Sequence, residues 1–118
     1  PKVSFARADL IKSEGLSRQL AQQLLGAFGR QGLAVHEFKP NREKIIRNRR
    51  SWVPAVLRYN TVPAKVLIEV CNLANPEDRR LIQTQQHRQR IAEAIVRGIL
   101  SYYGDDAGAL GTRVVAGS

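Results

Sequence analysis

The sequence predicts an α/β fold: a partial mixed or parallel sheet with packing helices. Two patterns carry this prediction. Val66–Val70 is a nearly continuous apolar run, which is typical of a strand covered on both faces. Long segments on either side of this run place apolar residues at helical spacing, so each should have one face that packs on something. Helices on both sides of a buried strand therefore favour an α/β arrangement.

The first predicted helix runs from Ser13 to Gln31. Its apolar face is formed by Leu16, Leu20, Leu24 and Phe28, which recur at four-residue steps. Ser13 or Ser17 can cap its start, because a serine hydroxyl accepts a hydrogen bond from a free backbone N–H. Gly26 and Gly29 weaken the final turns and would allow a neighbouring element to approach closely.

Two strands and two helix signals follow. Val53–Arg58 is a short strand candidate, separated from Val66–Val70 by a turn at residues 60–63. Asn75 followed by Pro76 is a strong helix start, because Asn can cap and Pro is suited to the first helical position. The last helix is predicted from about Gln86 to Tyr103, with an apolar stripe that should cover the sheet.

Composition limits the class of protein. The 118 residues, 43% hydrophobic and 25% charged, suit one modest domain, predicted over residues 1–103 with a flexible Gly-rich tail at 104–118. No apolar run approaches the ~20 residues that cross a bilayer, and no signal sequence begins the chain, so we expect a soluble chain without a membrane span. Pro1 at the start and the lack of Met suggest a piece of a longer protein.

Net charge is +9, and the basic residues are densest between Lys39 and Arg50. We call residues 39–50 the basic segment; its cations are Lys39, Arg42, Lys44, Arg47, Arg49 and Arg50. Such a segment suits a polyanion: nucleic acid, an acidic membrane surface or an acidic cell-wall polymer. The alternative is a solvated loop whose charges bind nothing specific, and it is slightly favoured because few aromatic residues are interleaved. Nucleic acid is therefore not the partner that we expect.

Glu69 places a carboxylate at the C-terminal end of the predicted strand. Burying that charge costs several kcal/mol unless the carboxylate is paired, protonated or coordinated to a metal ion. Ligands of open α/β sheets bind beyond the carboxyl ends of the strands, which favours a chemical role. The equally weighted alternative is a side chain that faces water or pairs with an arginine, since strand residues alternate between faces.

Three other residues could carry chemistry. Cys71 is the single cysteine, so the chain has no internal disulfide, and a lone Cys in an apolar segment is usually a packing residue. His36 and His87 are far apart in sequence, and neither has a carboxylate or cysteine three or four residues away that suggests a chelating face. We therefore predict no metal ligand among these residues.

The chain resembles the zinc-dependent N-acetylmuramoyl-L-alanine amidases, the Amidase 3 family. The resemblance rests on five motifs in the right order, which cover about three quarters of the chain. They are Ser17-Arg18-Gln19-Leu20-Ala21, Val56-Leu57-Arg58, Pro63 to Val70 with Glu69 near its end, Leu73-Ala74-Asn75-Pro76-Glu77-Asp78, and Gln89 to Ile95 followed by Gly98-Ile99 and Tyr102-Tyr103. It implies that the chain is the C-terminal half of an amidase-type domain.

The resemblance also implies a function. It places Glu69 at the family's catalytic glutamate and Asn75 at its loop asparagine, which we interpret as a structural helix cap. A carboxylate there can take a proton from water while Zn²⁺ polarises the amide between muramic acid and L-alanine of peptidoglycan. The family's zinc ligands, two histidines and a glutamate, lie upstream of its serine-led helix and are absent from this sequence. The missing N-terminal half would have to supply them, so this chain alone should be inactive.

Cys71 and Asn72 depart from the Gly and Phe that the family has after its glutamate. Two alternatives therefore remain at this stage. One is a non-catalytic basic module that binds a polyanion, and the other is an inactive amidase-like regulator. If the resemblance holds, the location is the periplasm or cell envelope.

Overall fold

The computed structural model describes residues 6–35, 40–42, 45–47 and 49–104. Four helices and two short strands are formed, in the order α1 (Arg7–Arg30), β1 (Ile45–Arg47), β2 (Arg50–Trp52), α2 (Ala55–Arg58), α3 (Pro76–Ile82) and α4 (Gln85–Tyr102). None of the described helices is both long and apolar enough to cross a bilayer. The predicted tail after residue 104 lies outside the described residues.

The predicted α/β fold is wrong, because helices dominate the described residues. The strands that do form make an antiparallel hairpin, with β1 paired to β2 and Arg47 opposite Arg50. This hairpin lies in the basic segment, which we expected to be a loop. Val66–Val70 is neither strand nor helix. A buried parallel strand needs neighbours to bond its N–H and C=O groups, and the described residues offer it none.

The second predicted strand, Val53–Arg58, is also wrong. Its residues from Ala55 to Arg58 form the short helix α2. Pro54 precedes this helix as its N-cap, with φ −51° and ψ 140°. Proline lacks the N–H that a sheet ladder requires but suits the start of a helix. The proline inside the predicted strand was therefore the stronger signal.

The three longer helices are confirmed. α1 begins at Arg7, earlier than predicted. Asp9 lies in its first turn, where a negative charge interacts favourably with the helix dipole. Because α1 begins there, Ser13 and Ser17 lie inside the helix and the prediction that one of them caps its start is wrong. α4 begins after Thr84, whose hydroxyl accepts a hydrogen bond from the backbone N–H of His87 at 3.3 Å.

The described residues group into two compact units, and α1 contributes to both. The first unit falls within Pro1–Gln22 and His36–Leu67. In it the backbone of residues 63–65 is hydrogen-bonded to serines of α1. The second unit falls within Gln23–Val35 and Ile68–Ser118. It contains the C-terminal turns of α1 together with the whole of α3 and α4.

The core of the second unit is small and apolar. Leu33, Ile91 and Ala94 are buried, and Phe28, Ile82 and Ile95 pack against them. α4 also lies directly on α1 at Gly98, where an added Cβ would be 2.8 Å from the Cα atom of Leu24. Only glycine allows such a short distance between helices. The close approach predicted at Gly26 or Gly29 is thus made by Gly98 instead, since nothing lies within 4 Å of a Cβ at Gly29.

Candidate functional site

Glu69 lies in the irregular segment that precedes α3 in the second unit. Its side chain is exposed, and it forms no hydrogen bond or ion pair with another described residue. The expectation of a carboxylate in a buried strand is therefore wrong, and the equally weighted alternative of a side chain that faces water agrees with the structure. An exposed carboxylate without a partner keeps both oxygens available to water or a ligand.

The residues around Glu69 alternate in exposure. Val66 and Ile68 are half-buried, whereas Leu67 is 53% exposed and Glu69 is also exposed. Successive side chains of an extended backbone point to opposite sides, which explains the alternation.

The loop after Glu69 is held by hydrogen bonds within itself. The carboxylate of Asp78 accepts from the backbone N–H of Asn72 at 2.9 Å, and the amide oxygen of Asn72 accepts from the N–H of Ala74 at 3.0 Å. Asn75 is the N-cap of α3, and its Oδ1 accepts from the N–H of Asp78 at 3.0 Å. Pro76 occupies the first turn of the helix. These bonds join residues 72–78 into one ordered turn.

Replacing Asn75 with alanine should destabilise this turn by about 1 kcal/mol, because the N–H of Asp78 loses its acceptor. Asn75→Asp is the matched control and should retain stability, since a carboxylate accepts the same bond and is favoured at a helix N-terminus. The measurement is urea unfolding of the three proteins. Equal midpoints for the native protein and Asn75→Ala would contradict the cap assignment.

A surface ion pair lies on α3. Arg80 donates to both carboxylate oxygens of Glu77, at 2.6 and 3.1 Å. This hydrogen bond, with the charge of Arg80, lowers the pKa of the Glu77 carboxyl and raises the pKa of Arg80. The pair's contribution is present above the unfolded pKa of Glu77 and is lost as pH falls through its lowered folded pKa. Both side chains are 63% exposed, so salt screens the pair and its effect is small.

The other predicted candidates do not assemble a metal site. No group of three or more potential metal ligands occurs in the described part of the chain. His87 is half-buried in the first turn of α4, and Cys71 is a free, half-buried thiol. His36 lies outside the described residues. The described residues therefore do not fit a zinc ion.

The basic segment is only partly described. Arg42 is exposed, and Arg49 is exposed at the turn of the hairpin with a φ of 61°. That left-handed conformation is the one required by two-residue hairpin turns. Lys39 and Lys44 lie outside the described residues. Arg49 thus lies at the turn of a hairpin, whereas Arg42 precedes β1 and lies outside it.

Comparison with known families gives a match along most of the chain. The family model described as N-acetylmuramoyl-L-alanine amidase matches residues 10–101 of the 118. The matched range contains both Glu69 and the turn of residues 72–78. The chain therefore belongs to the N-acetylmuramoyl-L-alanine amidase family, which the sequence motifs had indicated.

Individual relatives agree with the family. The N-acetylmuramoyl-L-alanine amidase AmiA of Escherichia coli is 39% identical over 69 residues, covering 58% of this chain and 24% of AmiA. AmiA of Salmonella typhimurium is 46% identical over 48 residues, 41% of this chain and 16% of the relative. The probable cell wall amidase LytH of Staphylococcus aureus is 46% identical over 48 residues, with the same shares. The chain thus spans about a quarter or less of these relatives. No solved structure matches it.

Two features of the structure were missed by reasoning from sequence. Ser17 was interpreted as a helix cap, although its hydroxyl bonds to the backbone N–H of Lys65. Gly98 was treated only as part of a motif, although it is the point of closest approach between α4 and α1. A glycine inside an otherwise strong helix was the available signal for the second feature.

Proposed function

We propose that this chain is part of a peptidoglycan hydrolase that cleaves the amide between N-acetylmuramic acid and L-alanine of the stem peptide. The observation that carries the proposal is the family match across residues 10–101, which includes Glu69. The names of the AmiA relatives state the same amidase activity for those proteins. A purely polyanion-binding module is not favoured, because the match extends far beyond the basic segment.

In this proposal Glu69 acts as the general base. Its exposed carboxylate takes a proton from the water whose oxygen attacks the amide carbonyl carbon. The protonated carboxyl then gives that proton to the alanine nitrogen as the carbon–nitrogen bond breaks. The products are the lactyl carboxylic acid and a stem peptide with a free amino group. The ordered turn of residues 72–78 supports the chain that follows Glu69.

Zinc remains part of the proposal as a cofactor of the whole protein. Because the described residues hold no group of three potential ligands, the ligands would come from residues outside them. Peptidoglycan is the proposed partner. The periplasm or cell envelope is the proposed location, consistent with the name of the relative LytH, a probable cell wall amidase.

The test is an assay of the complete protein on purified peptidoglycan, with and without a chelator. Mass spectrometry should detect stem peptides that begin with free L-alanine, and the chelator should abolish their release. Adding zinc back should restore it. Intact muropeptides after prolonged incubation with zinc would reject the proposed amidase, whereas release that the chelator leaves unchanged would reject the proposed cofactor.

A further inference from the structure

The helix α4 has apolar residues on two of its sides. On one side Ile91, Ala94 and Gly98 are buried within the second unit. The residues of the other side are also apolar, but they are exposed: Ala92, Val96, Ile99 and Tyr103. We call these residues the outer face of α4. At about 100° per residue, the centres of the two sides lie about 140° apart around the helix axis.

The outer face is continuous along the helix. Its residues follow one another at steps of four, three and four positions, which is the spacing with which a helix presents a seam to a second packed element. Val96 is 42%, Ile99 40% and Tyr103 58% exposed. The charged residues Arg90 and Arg97 lie on the remaining side of α4. A helix that is apolar over most of its circumference is typical of an element buried on more than one side.

A second copy of this chain does not fit the outer face. A stable interface between two proteins takes about 800 Å² and 20–30 residues from each partner. The outer face offers four residues, too few to offset the loss of translational and rotational freedom on association. A surface linked covalently to the same chain avoids most of that loss, because its effective concentration is already high. The size of the outer face therefore favours an intramolecular contact.

The relatives have the additional chain that such a contact requires. The stretch matched in AmiA of Escherichia coli is 24% of that protein, so most of that relative has no counterpart here. We propose that the outer face of α4 is covered, in the complete protein, by apolar residues of the amidase domain that lie outside these 118 residues. The inference rests on the proposed function, which makes this chain one part of a larger hydrolase.

Hydroxyl-radical footprinting of the purified complete protein tests the proposal without any substitution. Mass spectrometry locates the oxidation at Tyr103, and a synthetic peptide of residues 97–104 gives the rate for an unprotected ring. Oxidation should be at least about tenfold slower in the protein than in the peptide, because the packed core of an interface excludes water. Equal rates would overturn the proposal, since Tyr103 would then be exposed in the complete protein.

Two cysteine variants of the complete protein extend the test to the middle of the face. Val96→Cys places a thiol on the outer face, and Arg97→Cys is the matched control on the charged side of the same helix. Peptide mass spectrometry distinguishes both thiols from Cys71. Maleimide should label residue 96 about 100-fold more slowly than residue 97, because only the first lies in the proposed contact. Equal labelling of the two thiols would contradict the covered face.

Two further measurements identify what covers the face. Protection of Tyr103 should be the same after about 100-fold dilution, because an intramolecular contact does not depend on concentration. Protection lost on dilution would assign the face to a second copy and overturn the proposal. Protection lost when Leu110, Val114 and Val115 are replaced with serine would overturn it as well, by assigning the face to the last residues of this chain. A protein that protects Tyr103 but does not hydrolyse peptidoglycan would reject the proposed function and leave the covered face standing.

Discussion

Replacing Glu69 with glutamine should lower peptidoglycan amide hydrolysis about 10³-fold, the scale expected when a general base is lost. Glutamine has nearly the same shape but cannot take a proton from water at neutral pH. The substitution should leave the fold intact, because Glu69 is exposed and no described residue bonds to it. The free energy of unfolding is expected to change by less than about 0.5 kcal/mol. Mass spectrometry of released stem peptides measures the rate.

Glu14→Gln is the matched control for this experiment. Glu14 is also an exposed carboxylate, carried by α1 outside the proposed site, so the control changes net charge equally. The control should retain native activity. Native activity in Glu69→Gln would remove Glu69 as the base, and loss of activity in both variants would attribute the effect to net charge.

Replacing Gly98 with alanine should destabilise the second unit. The new Cβ would lie 2.7 Å from the Cδ2 atom and 2.8 Å from the Cα atom of Leu24. The side-chain atom can move, but the backbone atom moves only if α1 and α4 separate. Overpacking costs about 1–3 kcal/mol, and the higher helix propensity of alanine offsets about 1 kcal/mol of that cost. The expected net destabilisation is therefore up to about 2 kcal/mol, measured by urea unfolding.

Gly15→Ala is the control for this prediction. Gly15 also lies inside a helix, α1, but nothing occurs within 4 Å of a Cβ placed on it. The same substitution should therefore stabilise the protein by up to about 1 kcal/mol. The two variants should thus shift the unfolding midpoint in opposite directions. A stabilised Gly98→Ala would show that α1 and α4 do not approach closely at this residue.

The helices could be predicted well from sequence because their signals are local. Apolar residues at helical spacing identified α1 and α4, and Asn75 with Pro76 identified the start of α3. Capping and helical periodicity depend on residues within one or two turns, so neighbours in sequence contain the required information.

The sheet could not be predicted in the same way. An apolar run such as Val66–Val70 becomes a strand only when another strand bonds to it, and the described residues provide no such strand. Val53–Arg58 failed for a local reason that was visible, since Pro54 begins a helix there. The hairpin of the basic segment was missed because its residues show no clear alternation of polar and apolar side chains.

For the candidate site, too, the sequence identified the residues but not their long-range contacts. Family motifs located Glu69 and Asn75, but the exposure of Glu69 and its lack of a described partner are known only from the structure. The interaction of Ser17 with Lys65 joins residues that are 48 positions apart. No local pattern encodes such a pairing, because the same serine would serve equally well as a helix cap.

The sequence by itself determined the family of this protein, its main helices and the position of its proposed base. These depend on the order of motifs and on local periodicity, both of which can be recognised without knowledge of the fold. Only the tertiary structure decided that Glu69 is exposed, that Ser17 holds the loop of residues 60–65, and that Gly98 lets α4 approach Leu24. Each of these depends on contacts between segments far apart in the chain, and such contacts form only when the chain packs.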